Sequence, residues 1–367
     1  MASVAESFDN SSELGQGATR NPRDFWKSIC LPSLVVVFAV VMILSVAIGP
    51  TSVSFGALGR WLVSLVGGEA LSLRDHVVLF DIRMPRTVLG ALIGASLGVA
   101  GAMMQGLFRN PLADPGLIGV ASGSSLAAVS VIVLASHLPV ALAVHAGTYL
   151  LPLAAFLGGL VTTLVLYKVS TRGGETSIAT MLLAGIALGA LTGAVTGLLI
   201  FKSDDAQLRD FTFWSMGSLG AATWQRVLSI LPFVLALLFS IPFLSKGLNA
   251  LLLGEAEAFH MGFNTQKLKR ILIIVVAAAT GAAVSAAGAI GFVGIVVPHL
   301  LRLLIGPDHR LLLPCCALLG AALLVAADMV SRSIVAPAEL PIGIIMAVIG
   351  APVFLSILLG RRSLISL

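Results

Sequence analysis

Charge is scarce in this sequence: Asp, Glu, Lys and Arg together make up 11% of the chain, whereas hydrophobic residues make up 58%. An average soluble domain is about a quarter charged. A chain with so little charge cannot cover itself with a hydrated surface in water. The composition therefore excludes an ordinary soluble domain and indicates a polytopic membrane protein solvated by lipid.

Several motifs of catalytic and nucleotide-binding sites are also missing. The chain has no G-x-x-x-x-G-K-[ST] sequence, so it cannot hold nucleotide phosphates in a P-loop, and any use of ATP must come from a partner. It has no HExxH, GxSxG or paired-carboxylate pattern, which disfavours an intramembrane enzyme. Basic residues are scattered, so no nucleic-acid partner is expected. Cys30, Cys315 and Cys316 lack metal-ligand spacing and are predicted to be core residues.

Ionisable side chains are almost absent from the centres of the apolar runs. A charge at the bilayer centre costs about 2.5 to 3.5 kcal/mol, so such charges are retained for a function. Asp328 is the main exception, and Arg332 follows four residues later on the same helical face. This spacing fits an ion pair, which either serves transport or only fixes a helix end. A secondary transporter or channel is the less favoured hypothesis.

Ten apolar runs predict ten membrane-spanning helices in an all-α bundle, because about twenty apolar residues cross a bilayer. The spans are approximately 29–48, the helix within 83–116, 117–136, 146–167, 177–201, 226–244, 270–288, 289–304, 311–331 and 341–359. The seventh and eighth are predicted to turn near 288–291.

The bundle is predicted to occupy residues 28–362, with tails at 1–27 and 363–367. Segment 49–81 is amphipathic and predicts an interfacial helix and loop. The polar lead before the first span favours an uncleaved helix over a cleaved signal peptide. With both termini in the cytoplasm, 14 of the 22 basic residues fall on the inner side and 8 on the outer side, which favours this orientation.

Two spans carry glycine at every fourth residue, which places the glycines on one helix face and lets another backbone approach closely. The second span has Gly90, Gly94 and Gly98, and the fifth has Gly185, Gly189, Gly193 and Gly197. We expect the first series to pack against protein rather than lipid. Spacing alone favours packing within the subunit for the second series as well.

Four long motifs resemble the permease subunits of ABC importers for iron compounds and cobalamin. They are RMPRT at 83–87, RNPLADPGLIGVASG at 109–123, GAIGFVGIVVPHLLRLLIGPDHRLLLP at 288–314 and AELPIGIIMAVIGAPVF at 338–354. The resemblance extends from about residue 35 to 362. Within the family, IGPDHRLLLP followed by APAELP looks most like the haem permeases.

The resemblance implies a type II ABC importer permease in the bacterial inner membrane. Such a permease is a homodimer of ten-helix subunits on two cytoplasmic ATPase subunits, fed by a periplasmic binding protein. This subunit would then pass haem into the cytoplasm, with no catalytic residue, no metal site and no permanently bound cofactor. A ferric siderophore or cobalamin is the alternative cargo.

Three arginines match the family positions that face acidic residues of the docked binding protein. They are Arg83, Arg86 and Arg332. All three are expected at outer helix ends, where long side chains reach water and can form bidentate bonds to a carboxylate. Plain anchoring at the membrane interface is the alternative interpretation.

Two cytoplasmic turns resemble the gate of the family. The residues are Asn110, Pro111 and Leu112 after the second span, and Thr176 and Ser177 at the start of the fifth. Proline removes a helix donor and restricts the preceding residue, so the first turn should be stiff. Thr176 also resembles a helix N-cap, and ordinary caps and breaks remain an alternative for both turns.

The coupling segment, about residues 248–264, is the longest polar interruption on the inner side and resembles the helix that contacts the ATPase. Gly254, Glu255, Ala258 and Gly262 match the family pattern. His260 is interpreted as solvated interface rather than as a metal ligand.

The fifth span lines the central pathway in the family, so Gly185, Gly189, Gly193 and Met181 are candidate pathway residues. Other side chains that could touch haem iron or its ring are His137, His145, Tyr149 and Met216. Each of these single residues is more often structural, because transport requires weak passage rather than firm ligation.

Overall fold

The computed structural model describes residues 22–49, 72–134 and 149–365. The helices in these ranges are α1 (Pro22–Ala47), α2 (Leu73–Phe108), α3 (Val120–Leu134), α4 (Leu151–Ser170), α5 (Ile178–Phe201), α6 (Asp205–Met216), α7 (Trp224–Leu253), α8 (Glu255–His260), α9 (Thr265–Ala287), α10 (Val293–Ile305), α11 (His309–Ser331) and α12 (Ile342–Ile365). A 3₁₀ turn at Pro115–Ile118 precedes α3. Strands β1 (Thr171–Arg172) and β2 (Glu175–Thr176) form an antiparallel hairpin between α4 and α5.

These helices confirm an all-α membrane bundle. Seven of them have at least 20 residues and are apolar enough to cross a membrane, namely α1, α2, α4, α5, α7, α9 and α11. The remaining three predicted spans coincide with the shorter apolar helices α3 and α10 and with the apolar Ile342–Ser356 part of α12. In the parts of the chain that the structure describes, these ten helices therefore match the ten predicted spans one to one.

Helix α2 is longer than predicted. It begins at Leu73 and includes a π-helical turn over Val77–Arg83, which ends two residues before Pro85, a residue that has no N–H to donate to that turn. Residues 73–81 are thus continuous with the span instead of forming part of a separate interfacial segment, and residues 50–71 lie outside the described ranges. Its 36 residues extend about 54 Å, so one end projects beyond a hydrocarbon core of about 30 Å.

Helix α2 is also the centre of the bundle. Its most apolar window is 89% buried, against 11% for α1 and for α5. Its Gly94 faces the backbone of Gly320 in α11 so closely that an added Cβ would collide with the carbonyl oxygen. A Cβ on Gly98 would lie 2.5 Å from the Cys316 carbonyl oxygen. The first glycine series therefore packs against protein, as predicted.

Several ends differ from the predicted boundaries. Helix α1 begins at Pro22, inside the predicted tail, and α12 continues to Ile365, because polar residues extend an apolar helix beyond its hydrophobic part. The predicted turn between the seventh and eighth spans is found between Ala287 and Val293. Helix α6 was not predicted, although the Asp204 and Gln207 capping box that begins it is visible in the sequence.

Candidate functional site

The described part of the bundle carries two polar networks along α2. The arginine end, around Arg83 and Arg86 in the first half of α2, holds a cluster that we call the arginine cluster: Arg83, Arg86, Asp328, Arg332 and Glu339. The hairpin end, where α2 finishes, holds the β1–β2 hairpin and the short helix α8.

Arg86 is the hub of the arginine cluster. Its Nη2 donates to Asp328 Oδ1 over 2.8 Å, its Nε lies 3.0 Å from both Asp328 oxygens, and its Nη1 donates to Glu339 Oε1 over 2.7 Å. Asp328 is in α11 and Glu339 is in the loop before α12, so one guanidinium joins α2 to both elements. A planar guanidinium suits such bidentate pairing with carboxylates.

The other two arginines bind the C-terminal end of α1. Arg332 Nη2 donates to the Ser45 carbonyl oxygen over 2.6 Å, and its Nε lies 3.6 Å from Asp328 Oδ2. Arg83 Nη1 donates to the carbonyl oxygens of Val46 and Ala47 over 2.8 and 2.7 Å. Helix ends leave carbonyl groups without intrahelical partners, and both arginines satisfy such groups.

The expectation that these arginines reach water is wrong for the described chain. Arg83, Arg86 and Arg332 are exposed by only 2, 6 and 2%, whereas the Glu339 side chain is 37% exposed. The predicted ion pair of Asp328 and Arg332 is present, but Arg86 is the closer partner of that carboxylate. Because buried charges are costly unless paired, the cluster holds α1, α2 and α11 together as a structural unit.

At the opposite end, α2 finishes in the first predicted gate turn. Arg109 closes the helix in the left-handed conformation with φ of 48°. The Asn110 side-chain oxygen accepts from the Leu112 N–H over 3.0 Å, and Pro111 lies between them, which gives a tight local turn. Asn110 is exposed, while Pro111 and Leu112 are half-buried.

The acidic residue that follows this turn is Asp114. Its carboxylate accepts from the Gly116 N–H over 2.7 Å and caps the 3₁₀ turn. Burial raises the pKa of Asp114, and the hydrogen bond from Gly116 opposes that shift.

The second predicted gate turn is the hairpin. Ser177, not Thr176, is the N-cap of α5, since its hydroxyl accepts from the Thr180 N–H over 3.3 Å. Thr176 lies in β2 and is 4% exposed. Strand pairing takes precedence over the cap role because Gly173 and Gly174 adopt φ values of 59° and 86°, which form the tight turn of a hairpin.

Contacts from α9 fix the hairpin on both sides of Thr176. Its N–H donates to Gln266 Oε1 over 3.0 Å, and its carbonyl oxygen accepts from Lys269 Nζ over 3.0 Å. The same Lys269 ammonium lies 2.6 Å from Glu255 Oε2 in α8. Sequence reasoning counted Lys269 only as one more basic residue, because neither of its partners is near it in the chain.

The predicted coupling segment forms the end of α7, the six-residue helix α8 and the turn into α9. Gly254, with φ of 135°, separates α7 from α8, and Gly262, with φ of 87°, has open space around it. Ala258 is fully buried against the chain, so it does not present a contact to a partner. His260 is exposed, as predicted.

The predicted pathway residues fall into two groups. Gly189 and Gly193 of α5 have open space where a Cβ would be, whereas Gly185 lies against the Leu117 backbone. Met181 is 1% exposed and belongs to the core, so it lines no open surface of the described chain. Intra-subunit packing, which the spacing favoured for this series, is therefore wrong beyond Gly185.

Among the residues considered for haem contact, Tyr149 and Met216 are exposed by 57 and 38%. His137 and His145 lie outside the described residues. In the described ranges, no three His, Cys, Asp or Glu side chains are grouped so that they could hold a metal ion. The three cysteines are free and buried, as predicted.

Two adjoining cavities of about 600 and 660 Å³ lie among the first turns of α4 and α7 and the last turns of α9. Both are lined by Pro152, Ala221, Arg226 and Ser285. Phe156 and Phe233 line one cavity, and Trp214 lines the other. In the cavity of about 600 Å³, aromatic walls with the Arg226 guanidinium suit an apolar ligand that carries an anionic group, whereas the carboxylate of Asp210 also lines the other cavity.

Comparison with known proteins identifies the class of this bundle. Residues 36–360 match the FecCD transport family. A hemin transport system permease protein of Yersinia pestis is 42% identical over 331 residues, which cover 90% of this chain and 97% of that protein. A cobalamin import system permease protein of Halobacterium salinarum is 45% identical over 287 residues, which cover 78% of this chain and 74% of that protein.

A solved structure has the same fold. It is a metal-chelate type ABC transporter in an inward-facing conformation, with a TM-score of 0.75, 31% sequence identity, and coverage of 90% of this chain and 98% of that chain. The family match, the relatives along nearly the whole chain and this shared fold all agree. The chain therefore belongs to the FecCD transport family and is the membrane-spanning permease of an ABC importer.

Proposed function

We propose that this permease imports haem. The observation that carries the proposal is the 42% identity to a hemin permease along 97% of that protein's length. The cavity of about 600 Å³ fits this cargo, because a haem has a flat apolar ring that suits the walls of Phe156 and Phe233 and carboxylates that suit Arg226. The open glycine face of α5 leaves a smooth wall for a bulky substrate.

Cobalamin and ferric siderophores are the second candidate class of cargo. The specific observation in favour of cobalamin is the 45% identity to a cobalamin permease over 287 residues. Both candidates are large and partly apolar, so the wall of a wide pathway suits either. The binding protein that delivers the cargo would then make the selection.

The proposed assembly is a homodimer in the bacterial inner membrane, with both termini in the cytoplasm. Two ATPase subunits bind at the hairpin end, where Gly262 and the exposed face of α8 are open to a partner. A periplasmic haem-binding protein binds at the arginine end. ATP is hydrolysed only in the partner subunits.

In this proposal, Arg86 docks the binding protein by exchange of carboxylates, while the buried Arg83 and Arg332 keep their carbonyl partners in α1 and hold Arg86 in place. Glu339 is the partly exposed acidic partner of Arg86, so a carboxylate of the binding protein can replace it. Glu339→Gln should then tighten binding several-fold, since a neutral amide competes less well for the guanidinium. Titration of the purified permease complex with the binding protein measures this affinity, and weaker binding by the variant would contradict the exchange.

Uptake into proteoliposomes tests the cargo. The permease is reconstituted with its ATPase and the haem-binding protein, and uptake of haem is measured with and without ATP. Parallel assays use cobalamin and a ferric siderophore with their own binding proteins. We expect ATP-dependent uptake of haem. If only cobalamin is taken up, cobalamin replaces haem as the proposed cargo. Uptake that persists without the ATPase would indicate a secondary transporter.

A further inference from the structure

One buried ammonium group joins the coupling segment to the gate hairpin. Lys269 Nζ lies 2.6 Å from Glu255 Oε2 in α8 and donates to the Thr176 carbonyl oxygen in β2 over 3.0 Å. These partners are 14 and 93 residues away in the chain. Lys269 is therefore a direct link between α8 and the hairpin.

The burial of Lys269 makes its position depend on Glu255. Its side chain is 2% exposed, whereas Glu255 is 41% exposed. A buried ammonium is costly without a partner of opposite charge, so Lys269 keeps its place only while Glu255 stays beside it. Any partner that shifts α8, and with it Glu255, changes the free energy of the Lys269 position.

The hairpin in turn is attached to the same face of α9. Gln266 and Lys269 are three residues apart, and they bind the N–H and the carbonyl oxygen of Thr176. Ser177, the next residue, caps α5, whose glycine face is open. A cavity of about 410 Å³ borders Glu255, Thr176 and Ser177, which leaves the hairpin room to move relative to α8.

We propose that Lys269 is the positioning residue that transmits movement of α8 to the hairpin and to the start of α5. The inference rests on the proposed import function and names the residue that couples ATP hydrolysis in the partner to opening of the gate. A shift of Glu255 moves the ammonium, which moves Thr176 and the N-cap of α5. Lys269 touches no substrate and acts only through these contacts.

The test uses the complete importer in proteoliposomes and measures ATP hydrolysed per molecule of cargo imported. Lys269→Met removes both contacts, and the ratio should rise about tenfold, within the usual range of coupling between sites. Lys269→Arg retains the charge and should restore much of the coupling. Lys267→Met, an exposed lysine on the same helix, should keep the wild-type ratio.

If Lys269→Met does not fold, Glu255→Gln provides a second test. This partly exposed residue can be replaced without disturbing the core. It should raise the same ratio, and the double variant should be no worse than Lys269→Met alone. Wild-type coupling in both single variants would overturn the role of Lys269 and leave the import function intact. Absence of ATP-dependent uptake by the wild type would instead overturn the proposed function, and this inference with it.

Discussion

Helices α2 and α5 carry the same four-residue glycine repeat in opposite surroundings. In α2, Gly94 and Gly98 face carbonyl groups of α11 so closely that no side chain fits. In α5, Gly193 and Gly197 face open space. A small-residue repeat therefore makes one helix face able to approach another backbone, but it does not say whether that backbone belongs to the same subunit.

The difference between the two helices follows from their partners within the chain. Helix α2 packs against α7, α9, α10 and α11, whereas α5 packs against α3, α4 and the 3₁₀ turn. In α2 the glycines lie in the buried centre of the bundle, in close contact with α11. In α5, a Cβ at Gly189, Gly193 or Gly197 would meet no neighbouring atom of the described chain within 4 Å, which is compatible with the proposed homodimer.

The largest expected effect comes from filling the α2 face. Gly94→Leu would force the Gly320 backbone away, and backbone cannot yield as a side chain does. We expect a loss of about 4 kcal/mol or more in the free energy of unfolding, at the extreme of single substitutions. Thermal unfolding of the detergent-solubilised protein measures it, and a variant as stable as wild type would show that the close approach is not required.

The next effect concerns the ion pairs that hold α2 to α11. Arg86→Met leaves Asp328 buried with only the more distant Arg332 as a cation, and removal of one member of a buried pair costs about 3 to 5 kcal/mol. Denaturant unfolding gives the value. Arg209→Met, at an exposed arginine of α6, is the matched control and should stay within about 0.5 kcal/mol of wild type.

Filling the glycine face of α5 should lower transport without lowering the stability of the subunit. Gly193→Leu meets no atom within 4 Å of the new Cβ, and leucine is the better helix former, so the fold of the subunit should be retained. If this face lines the pathway or meets a second copy, uptake should fall at least about tenfold. Unchanged uptake in proteoliposomes would show that this face of α5 neither lines the pathway nor meets a second copy.

The smallest expected effect comes from the addition of a single methyl group to the same face of α5. Gly193→Ala adds one methyl group to the open face and should stabilise the helix by about 0.5 to 1 kcal/mol. Uptake should remain close to wild type, because a methyl group narrows a wide pathway little. A midpoint of thermal unfolding below that of wild type would indicate that the face is already closed in the assembled protein.

The number of helices followed from local signals. Apolar runs located all ten spans, since hydrocarbon requires a continuous apolar helix. Polar residues extend several helices beyond these runs, as where α2 begins at Leu73. The capping box of α6 is visible in the sequence, but a polar stretch between two spans is equally typical of a loop. The cap role of Thr176 was wrong because the hairpin competes for the same backbone groups.

Contacts between distant residues could not be predicted in this way. Arg86 and Glu339 are 253 residues apart, and Lys269 and Thr176 are 93 apart. An arginine at a helix end fits solvent, a partner or a buried carboxylate equally well by its sequence. Only the packing of α2 against α11 determines that Arg86 pairs with Asp328.

The sequence by itself determined the membrane environment, the ten helices and the family. These follow from composition, hydropathy and motifs, each of which acts over a few residues or over the chain as a whole. Tertiary structure alone decided which glycine face is filled, which arginines are buried and which lysine joins α8 to the hairpin. Those outcomes depend on close approach and desolvation, which exist only once distant segments are packed together.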